Sequence, residues 1–538
     1  MKDVRCDSSP EIIGRGTWYD KAARELIERE TRLGRSLDLV RTESGLGASG
    51  FPHIGSLGDA LRNYAVAMGV QVQGYSSELI AFSDDKDGLR KVPAGLPEEM
   101  EKWLGYPVSD IPDPFGTHES FGAHMTSLLL EALDTCGAEY TFESGARVYA
   151  EGVLNDEILT LMENADRIGE IIREEIEQEK FLEQLPYFPI CESCGRIYTT
   201  NAYRYLPDEH RVLYRCEGME VKGRWLEGCG HEGEVDILAG NGKLSWKVEF
   251  AARWKALDIR FEAYGKDIAD SVRVNDRICR EILGYEPPMH VQYEMFLDRG
   301  GKKISKSAGN VFTPQVWFRY GSPQSLNLLI FKRFVGAKSG SVEEIPVHMD
   351  ELEDLEDIYF GRVKVKDQMN RAKLSGLYEY CWMLKPPRET AVHIPYNLMV
   401  NLAKVAPKES EAEFIRDKLK EYGYLDRGDQ GLEDRIRYAL RWVEDMGEPS
   451  IERVTLTEQE TEAMKYFLSA LKLADDEDGY QSAVFDVARG HGLRPGGLFS
   501  VLYKILLGRD RGPRFGPLVV AMGKENVLRE LEKAIGVG

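Results

Sequence analysis

Apolar residues recur at helical spacing in two stretches near the start of the chain, and short apolar runs lie beside them. In residues 20–34 the apolar positions share one face and Gly34 ends the pattern, which predicts a helix. Residues 53–70 predict a second helix, and residues 37–41 and 78–83 predict strands. The order strand, loop, helix, strand implies a parallel sheet with right-handed crossovers, whose ligands bind beyond the carboxyl ends of the strands.

The middle of the chain breaks this alternation. Residues 104–241 are rich in Pro and Gly, contain an acidic stretch at 158–183 that predicts one long helix, and hold a cysteine cluster, so we expect an insertion. Strand-like runs return at 243–261 and 290–297. Beyond Asp350 the patterns are helical, as in residues 458–474 and 498–507, which predicts an all-α end of the chain.

The composition excludes several classes of protein. The 538 residues include 69 Lys+Arg and 90 Asp+Glu, a net charge of −21, which argues against coating nucleic acid by bulk charge but leaves room for a local basic face. No apolar run approaches the ~18–20 residues that cross a bilayer. The first residues lack the apolar core of a secretory signal. We therefore expect a cytoplasmic protein with no membrane partner.

A glycine-rich stretch, G-L-G-A-S-G-F-P-H-I-G-S, occupies residues 45–56. Its first six residues formally match the dinucleotide fingerprint, so a nicotinamide-dependent oxidoreductase is one alternative. That fingerprint needs its helix to begin within the glycines, whereas Pro52 places the helix start near His53. A loop that approaches a nucleotide fits better, because free N–H groups, the helix dipole and the His53 ring all favour phosphate at this point. Gly55 would leave room for an adenine ring, although a plain turn with a capping histidine is the alternative.

A second motif, D-R-G-G-K-K-I-S-K-S-A-G-N, occupies residues 298–310. Its lysines and serines lie between glycines, so a mobile backbone carries cationic donors. Such a loop can close over a triphosphate and stabilise the charge on leaving pyrophosphate. A solvated basic loop is the alternative.

The two motifs together resemble the paired motifs of class I aminoacyl-tRNA synthetases, and further segments resemble the class I lysyl-tRNA synthetase family. The resemblance spans nearly the whole chain and is weakest in the cysteine region and in residues 386–450. The segments that carry it are T-E-S-G (42–45), F-S-D-D-K-D-G-L-R-K-V-P (82–93), G-K-L-S-W-K-V-E (242–249), R-W (253–254), Y-G-K-D (264–267), Y-E-M-F-L-D (293–298), 321–332 and 506–517.

This resemblance implies an α/β fold with a Rossmann-like parallel-sheet catalytic domain, a zinc-bearing insertion and all-α C-terminal domains. It also implies five segments with different tasks. We expect 1–103 to be the first part of the catalytic nucleotide-binding domain, 104–241 the insertion, 242–312 the second catalytic part with the lysine loop, 313–390 a helical connecting domain that contacts the tRNA stem, and 391–538 an all-α anticodon-binding domain.

The resemblance also implies roles for single residues. His53, Lys303 and Lys306 are the expected catalytic residues, with Lys306 the main group that stabilises the transition state. Gly45 would lie against the lysine substrate, and Tyr293 would pack along its aliphatic stem. The expected ATP-binding residues are Ser49, Gly50, His53, Gly55, Ser56, Lys303, Ser305, Lys306 and Ser307.

Two departures from the family pattern fall in the amino-acid pocket, where many relatives have Thr in place of Gly47 and His in place of Ile268. A substrate ammonium needs a carboxylate or several carbonyls. We include Asp85 with Gly45 and Tyr293 as substrate-binding residues. The sequence does not rank the candidate acids, each of which taken alone could be a cap or a surface acid: Glu43, Asp84, Asp85, Glu262 and Asp267.

Four of the eight cysteines lie within residues 191–229. Cys191 and Cys194 form a C-x2-C knuckle that suits tetrahedral Zn²⁺, and a fully ligated ion would be structural. Cys216 and Cys229 are too far apart for a second knuckle. Either residues 217–228 form an inserted loop between them, or His231 replaces one cysteine. Four buried free thiols are the alternative.

Asp113, His118 and His124 have the spacing of a second metal site. Family members commonly have Cys where this chain has Thr117, a poor zinc ligand. The site is therefore lost or completed by water, and ordinary loop and helix histidines are the favoured interpretation.

Two basic clusters suit phosphate contacts on RNA. They comprise Lys504, Arg509, Arg511 and Arg514 beside Phe515, and Lys332, Arg333 and Lys338. The resemblance implies a monomeric lysine–tRNA ligase that uses ATP with Mg²⁺, carries a structural Zn²⁺, and acts on L-lysine and tRNA(Lys). A synthetase for another amino acid such as glutamate, and an inactive RNA-binding paralogue, are the alternatives.

Overall fold

The structure, a computed structural model, describes residues 12–221, 223–294, 296–297, 312–336, 338–421, 423–425, 428–446, 456–507 and 514–536. The lysine loop, with Lys303, Ser305, Lys306 and Ser307, lies outside the described residues, as do Arg509 and Arg511 of the C-terminal basic cluster.

Helices and strands alternate in the first part of the chain, which contains α1 (Trp18–Arg32), β1 (Val40–Leu46), α2 (Ile54–Val72), β2 (Ser77–Ser83), α3 (Phe121–Cys136), β3 (Thr141–Ser144) and α4 (Gly145–Ala150). The next part is mostly short strands and contains α5 (Asn155–Glu163), α6 (Ala165–Ile176), β4 (Tyr187–Pro189), β5 (Thr200–Leu206), β6 (Arg211–Cys216), β7 (Gly218–Val221), β8 (Arg224–Glu227), β9 (Glu232–Asp236) and β10 (Gly242–Leu244).

The alternation then resumes with α7 (Trp246–Ala256), β11 (Ile259–Gly265), α8 (Ala269–Glu281), β12 (Met289–Tyr293), β13 (Phe296–Leu297), α9 (Pro314–Tyr320), α10 (Pro323–Phe331) and β14 (Lys338–Ser339). The rest is helical, with α11 (Ile345–Tyr359), α12 (Gln368–Cys381), α13 (Tyr396–Val405), α14 (Glu411–Glu421), α15 (Leu432–Met446), α16 (Glu458–Leu473), α17 (Glu477–Gly490), α18 (Pro495–Leu507), α19 (Phe515–Met522) and α20 (Lys524–Ala534).

Five strands form one parallel sheet in the order β12-β11-β1-β2-β3. β1 lies at its centre, and its neighbour in the chain, β2, pairs with it on one side while β11 pairs on the other. The direction of strand progression reverses at β1, and a crevice opens beyond the carboxyl ends of strands at such a switch point. The predicted α/β class with a Rossmann-like sheet is confirmed.

Three predictions about local structure are wrong. The first strand starts at Val40, three residues later than predicted, and runs through Gly45 to Leu46. The predicted helix at 158–183 is divided at Asn164, which caps α5 and α6 with a backbone conformation outside the helical region. The strand-like run at 243–261 contains helix α7, which is buried on most of its circumference and so lacks an amphipathic pattern.

The chain divides into two compact units. The first holds the described residues up to Phe318, with Ser322–His348 and Asp354–Pro386, and contains the parallel sheet and the cysteine region. The second holds Arg319–Gly321, Met349–Glu353 and the described residues from Pro387 onward. Its last helices, from α16 to α20, share an apolar core that includes Phe467 and Leu502. The five predicted segment boundaries stay a prediction.

Candidate active site

A cleft of about 230 Å³ opens beyond the carboxyl ends of β1, β2, β11 and β12, at the switch point of the sheet. The loops that follow these strands supply its walls, together with helix α7. Of the catalytic, ATP-binding and substrate-binding residues assigned from the sequence, five line it: Gly45, His53, Gly55, Ser56 and Tyr293. Three of the unranked candidate acids line it too: Asp84, Glu262 and Asp267. Ser49, Gly50 and Asp85 are not among its lining residues.

His53 caps helix α2 at the edge of the cleft. Its Nδ1 accepts a hydrogen bond from the backbone N–H of Ser56 at 3.1 Å. This contact leaves the ring proton on Nε2, so Nε2 is the donor atom of the ring. A hydrogen-bond donor at a helix N-terminus is suited to binding phosphate.

Gly55 packs closely against the capping histidine. A Cβ atom at Gly55 would lie 2.7 Å from Nδ1 of His53, so a larger residue would displace the histidine ring. The room that Gly55 would leave for an adenine ring stays a prediction.

Arg253 joins two of the candidate acids below the cleft. Its Nε donates to Oε1 of Glu43 at 2.8 Å, and its Nη1 donates to Oδ1 of Asp84 at 3.0 Å. The guanidinium also lies 3.9 Å from the centre of the Phe82 ring. Burial raises the pKa of Asp84 to about 7 against the opposing charge of Arg253, and burial likewise raises the pKa of Glu43. One buried cation therefore serves two carboxylates, of which Glu43 is buried and Asp84 is partly exposed.

Glu262, on β11, is a third buried acid, and it lines the cleft. Its Oε2 accepts a hydrogen bond from Nε1 of Trp254 at 2.5 Å. Glu262 forms no ion pair with any residue that the structure describes. Burial raises the pKa of Glu262 to about 8, and the negative charge of Glu43 acts in the same direction.

The other acids near the cleft have their own partners or are exposed. Glu294 pairs with Lys266 at 2.5 Å, and Asp267 is exposed. Asp85 is directed elsewhere, because its carboxylate accepts from Ser144 Oγ at 2.6 Å and from the N–H of Ala146 at 2.7 Å.

Tyr293 forms one wall of the cleft. Its hydroxyl donates to the carboxylate of Asp59, and the guanidinium of Arg62 lies 4.1 Å from the ring centre. Arg62 is itself buried and 3.6 Å from Asp59. Two residues of helix α2 thus fix the orientation of the tyrosine ring.

A buried ion pair holds another wall. Lys243 pairs with Asp87, and with Glu249 at 2.9 Å. Asp87 also accepts from Nε1 of Trp246 at 3.2 Å, and Trp246 lines the cleft. Of the acids that follow β2, Asp84 lines the cleft and Asp87 holds Trp246 and Lys243 in place.

The four cysteines of the insertion lie together, with all sulfur atoms within 4.8 Å of one another. Cys191 and Cys229 are 3.6 Å apart, and Cys194 and Cys216 are 3.7 Å apart. Metal–sulfur distances of about 2.3 Å in a tetrahedron require sulfur–sulfur edges of about 3.8 Å, so the donors fit Zn²⁺. The hairpin β7–β8 fills the gap between the last two cysteines. This arrangement favours the inserted-loop alternative over replacement by His231.

Asp113, His118 and His124 also lie together, and Thr117 is the fourth member of the group. Thr117 Oγ1 is 2.9 Å from Nδ1 of His118 and 3.0 Å from Nδ1 of His124. The two Nδ1 atoms are 3.2 Å apart, and Asp113 Oδ2 lies 3.1 Å from Thr117 Oγ1, 3.2 Å from the His124 nitrogen and 3.9 Å from the His118 nitrogen. A tetrahedron around a zinc-sized ion with bonds of about 2.0–2.1 Å has edges near 3.3 Å, so these four atoms have the dimensions of such a site.

Comparisons with known proteins identify the family of the chain. The family model of class I tRNA synthetases (K) matches residues 16–381. The chain belongs to this family. A lysine–tRNA ligase of Cenarchaeum symbiosum (strain A) is 48% identical over 96% of this chain and 98% of its own length. A lysine–tRNA ligase of Roseobacter denitrificans is 31% identical over 96% of both chains. Among solved structures, a glutamate tRNA ligase from Elizabethkingia meningosepticum in complex with its amino acid matches 92% of this chain and 99% of its own at 13% identity, with a TM-score of 0.30 that is too low for comparing the sites.

Several residues that organise the cleft of this class I synthetase escaped the sequence analysis as functional residues. Arg253, Trp254 and Lys243 appeared there only inside segments that resemble the family. Arg253 and Trp254 lie on α7 and Lys243 lies on β10, and no periodic pattern in either element marks them as functional. In the part of the synthetase that the structure describes, no helix is both long and apolar enough to span a membrane.

Proposed function

We propose that this class I synthetase is a lysine–tRNA ligase. It activates L-lysine with ATP to lysyl-adenylate and pyrophosphate, and then transfers lysine to the 3′ end of tRNA(Lys). The observation that carries this proposal is Glu262, a buried carboxylate that lines the cleft and lacks a cationic partner in the described chain. A lysine ammonium supplies that partner.

The charges of the cleft support lysine over glutamate. Glu43 and Glu262 are buried and the Asp84 side chain is 11% exposed, and the three acids share one guanidinium, that of Arg253. Arg253 is the one Lys or Arg among the described lining residues, and two carboxylates already engage it. An anionic substrate side chain would add a further negative charge to this excess, whereas an ammonium compensates it.

The amino-acid pocket of this proposal has aromatic walls. Tyr293 and Trp246 flank the cleft, and both rings are held by polar partners, Asp59 and Asp87. Flat apolar walls suit the four methylenes of lysine, and the acid at the end suits its charged head. Gly45 borders the same space and leaves it open.

The nucleotide binds on the α2 side of the cleft. The N-terminus of α2 and Nε2–H of His53 bind phosphate oxygens, and Lys303 and Lys306 of the lysine loop supply positive charge to the same phosphates. ATP enters as its magnesium complex, so Mg²⁺ arrives with the substrate phosphates, and we assign it no protein ligand. Ser305 and Ser307 contribute donors to the same loop.

The reaction needs no protein nucleophile. An oxygen of the lysine carboxylate attacks the α-phosphorus, the bond to the bridging oxygen of the β-phosphate breaks, and that oxygen leaves with pyrophosphate. His53 and Lys306 stabilise the charge that builds up on the phosphates. A hydroxyl of the terminal ribose of tRNA then attacks the acyl carbon, its proton is lost, and AMP leaves. The helical C-terminal region and its basic residues, such as Arg514, contact the anticodon arm.

A structural Zn²⁺ belongs to this proposal. The four thiolates of the cysteine cluster hold it and leave no position for substrate, so the ion stabilises the insertion. The cluster of Asp113, Thr117, His118 and His124 is proposed as a second, weaker cation site, because a neutral hydroxyl replaces a thiolate there. The monomeric state stays a prediction.

Lysine-dependent exchange of pyrophosphate into ATP, measured across all twenty amino acids with and without tRNA, tests the function. We expect lysine alone to support exchange. Exchange with glutamate and none with lysine would overturn the substrate. ATP binding with no exchange under any condition would favour the inactive RNA-binding paralogue.

A further inference from the structure

The side chain and the backbone carbonyl of Glu262 both contact residues that do not themselves line the cleft. Its side chain accepts from Nε1 of Trp254 at 2.5 Å. Its backbone carbonyl oxygen lies 3.0 Å from Nδ1 of His290, whose Nε2 lies 2.9 Å from Oδ1 of Asp276. The rings of Trp254 and His290 are 5.0 Å apart. The carboxylate is therefore fixed by a connected set of side chains behind it.

Trp254 is suited to more than filling the core. It is fully buried, and its indole N–H is a single donor that needs an acceptor when buried. Arg253, its neighbour on α7, binds Glu43 and Asp84. Of these two consecutive residues of α7, Arg253 supplies a cation to two acids and Trp254 supplies a neutral donor to Glu262. Glu262 is therefore the acid that has no cationic hydrogen-bond partner and can pair with a substrate ammonium.

We propose that Trp254 is a positioning residue for amino-acid recognition, which holds Glu262 in the orientation and charge state that receive the substrate ammonium. This inference rests on the proposed function and deepens it. The indole N–H occupies one oxygen of the carboxylate, so the other oxygen is directed at the ligand. Without that bond, the carboxylate can adopt a second rotamer. Binding of the ammonium then costs the conformational entropy of fixing the side chain.

Trp254→Phe tests the inference in the full-length protein, because it removes the donor and keeps an aromatic ring. We expect the KM for lysine in ATP–pyrophosphate exchange to rise on the order of tenfold, with kcat and the KM for ATP little changed. Inhibition by L-norleucine, which keeps the α-ammonium but lacks the side-chain ammonium of lysine, should be unchanged. Trp317→Phe is the matched control, since Trp317 is equally buried and donates to Ser325 at 3.0 Å outside the cleft.

A double-mutant cycle with Glu262→Gln separates positioning from packing. In the Glu262→Gln background, Trp254→Phe should have no further effect on the KM for lysine. An unchanged lysine KM in the single variant, or independent effects that add in the double variant, would overturn the inference. So would equal weakening of lysine and norleucine, which a collapsed pocket produces.

Should Trp254→Phe fail to fold, β-(3-benzothienyl)alanine at position 254 keeps the indole shape and replaces the N–H with sulfur. The same rise in lysine KM is expected, and its absence would overturn the inference. Failure of the proposed function can be told apart from failure of this inference. If the proposed function is wrong, lysine supports no ATP–pyrophosphate exchange even in the wild-type protein.

Discussion

The guanidinium of Arg253 donates to the carboxylate of Glu43 at 2.8 Å, and both side chains are buried. The pair joins a helix, α7, to the central strand, β1. It also explains how a glutamate can stand inside a strand of the sheet, since an unpaired charge there would be too costly.

Arg253→Ala is predicted to destabilise the protein strongly, by about 3–5 kcal/mol, because it leaves the buried Glu43 and the partly buried Asp84 without a cation. Urea denaturation at neutral pH measures the loss. The double variant Arg253→Met with Glu43→Gln should recover part of it, because the buried charge is removed with its partner. Arg167→Ala, which breaks ion pairs at the surface, is the control and should change little. An Arg253→Ala protein as stable as the wild type would contradict the prediction.

The raised pKa of Glu262 predicts a pH dependence of lysine binding. With a pKa of about 8 in the empty site, Glu262 is protonated at lower pH and must lose its proton to receive an ammonium. We therefore expect kcat/KM for lysine to rise from pH 6 to about 8 and then level. Glu262→Gln should flatten this rise and weaken lysine binding. The charged groups that face Glu262 are Glu43, Arg253 and Asp84. The midpoint of the pH profile therefore reports the titration of these coupled groups together.

The raised pKa of Glu262 also makes the stability of the fold depend on pH. A carboxyl whose pKa is higher in the folded protein than its ordinary 4.5 stabilises the fold fully below that value. This contribution is lost as the pH rises through about 8. Lysine should therefore raise the melting temperature more at pH 9 than at pH 6. A smaller effect at pH 9 would mean that the ammonium does not bind Glu262.

Sequence alone goes far towards the fold and stops at the interior of the site. The spacing of apolar residues located α2 and β2 within two residues, and Pro52 correctly excluded a helix start inside the glycines. The spacing of apolar residues did not reveal α7, because Val248 and Trp254 are buried on different faces of the helix. No polar face is left to mark it as a helix. The sequence could not rank the acids either. Whether Asp85 or Glu262 meets the substrate depends on which one has an internal partner, and those partners are distant in the chain.

Gly55→Ala is predicted to impair ATP use. The added Cβ would lie 2.7 Å from the His53 ring, so the ring must leave its capping position at the start of α2. We expect the KM for ATP to rise on the order of tenfold or more in the exchange assay, with the fold retained. Gly490→Ala is the control, because nothing lies within 4 Å of a Cβ at that position. A normal KM for ATP would remove the His53 cap from the nucleotide site.

Cys194→Ser is predicted to remove one tightly bound zinc ion per chain. Three thiolates and a hydroxyl bind Zn²⁺ much less tightly than four thiolates, and the insertion depends on the ion. Elemental analysis of the purified protein gives the zinc content, and thermal melting with and without chelator gives the effect on stability. Cys136→Ser changes a buried cysteine outside the cluster and should retain the ion. Melting of the wild-type protein that is insensitive to chelator would contradict a structural zinc.

Thr117→Cys is predicted to strengthen the second cation site. Thr117 Oγ1 lies within 3.1 Å of the Asp113 carboxylate and of both histidine nitrogens, so a thiolate at this position would join a nearly complete tetrahedron. A fourth, anionic ligand should raise the affinity for Zn²⁺ by at least an order of magnitude, because the wild-type hydroxyl is a weak ligand. Titration of the chelator-treated protein with Co²⁺ reports this as a sulfur-to-cobalt absorption band beyond that of the wild-type protein, whose four-cysteine cluster also binds Co²⁺. Thr135→Cys, on the exposed side of α3, is the matched control and should add no such band. If Thr117→Cys adds neither affinity nor the band, the cluster of Asp113, His118 and His124 is a hydrogen-bonded loop and not a metal site.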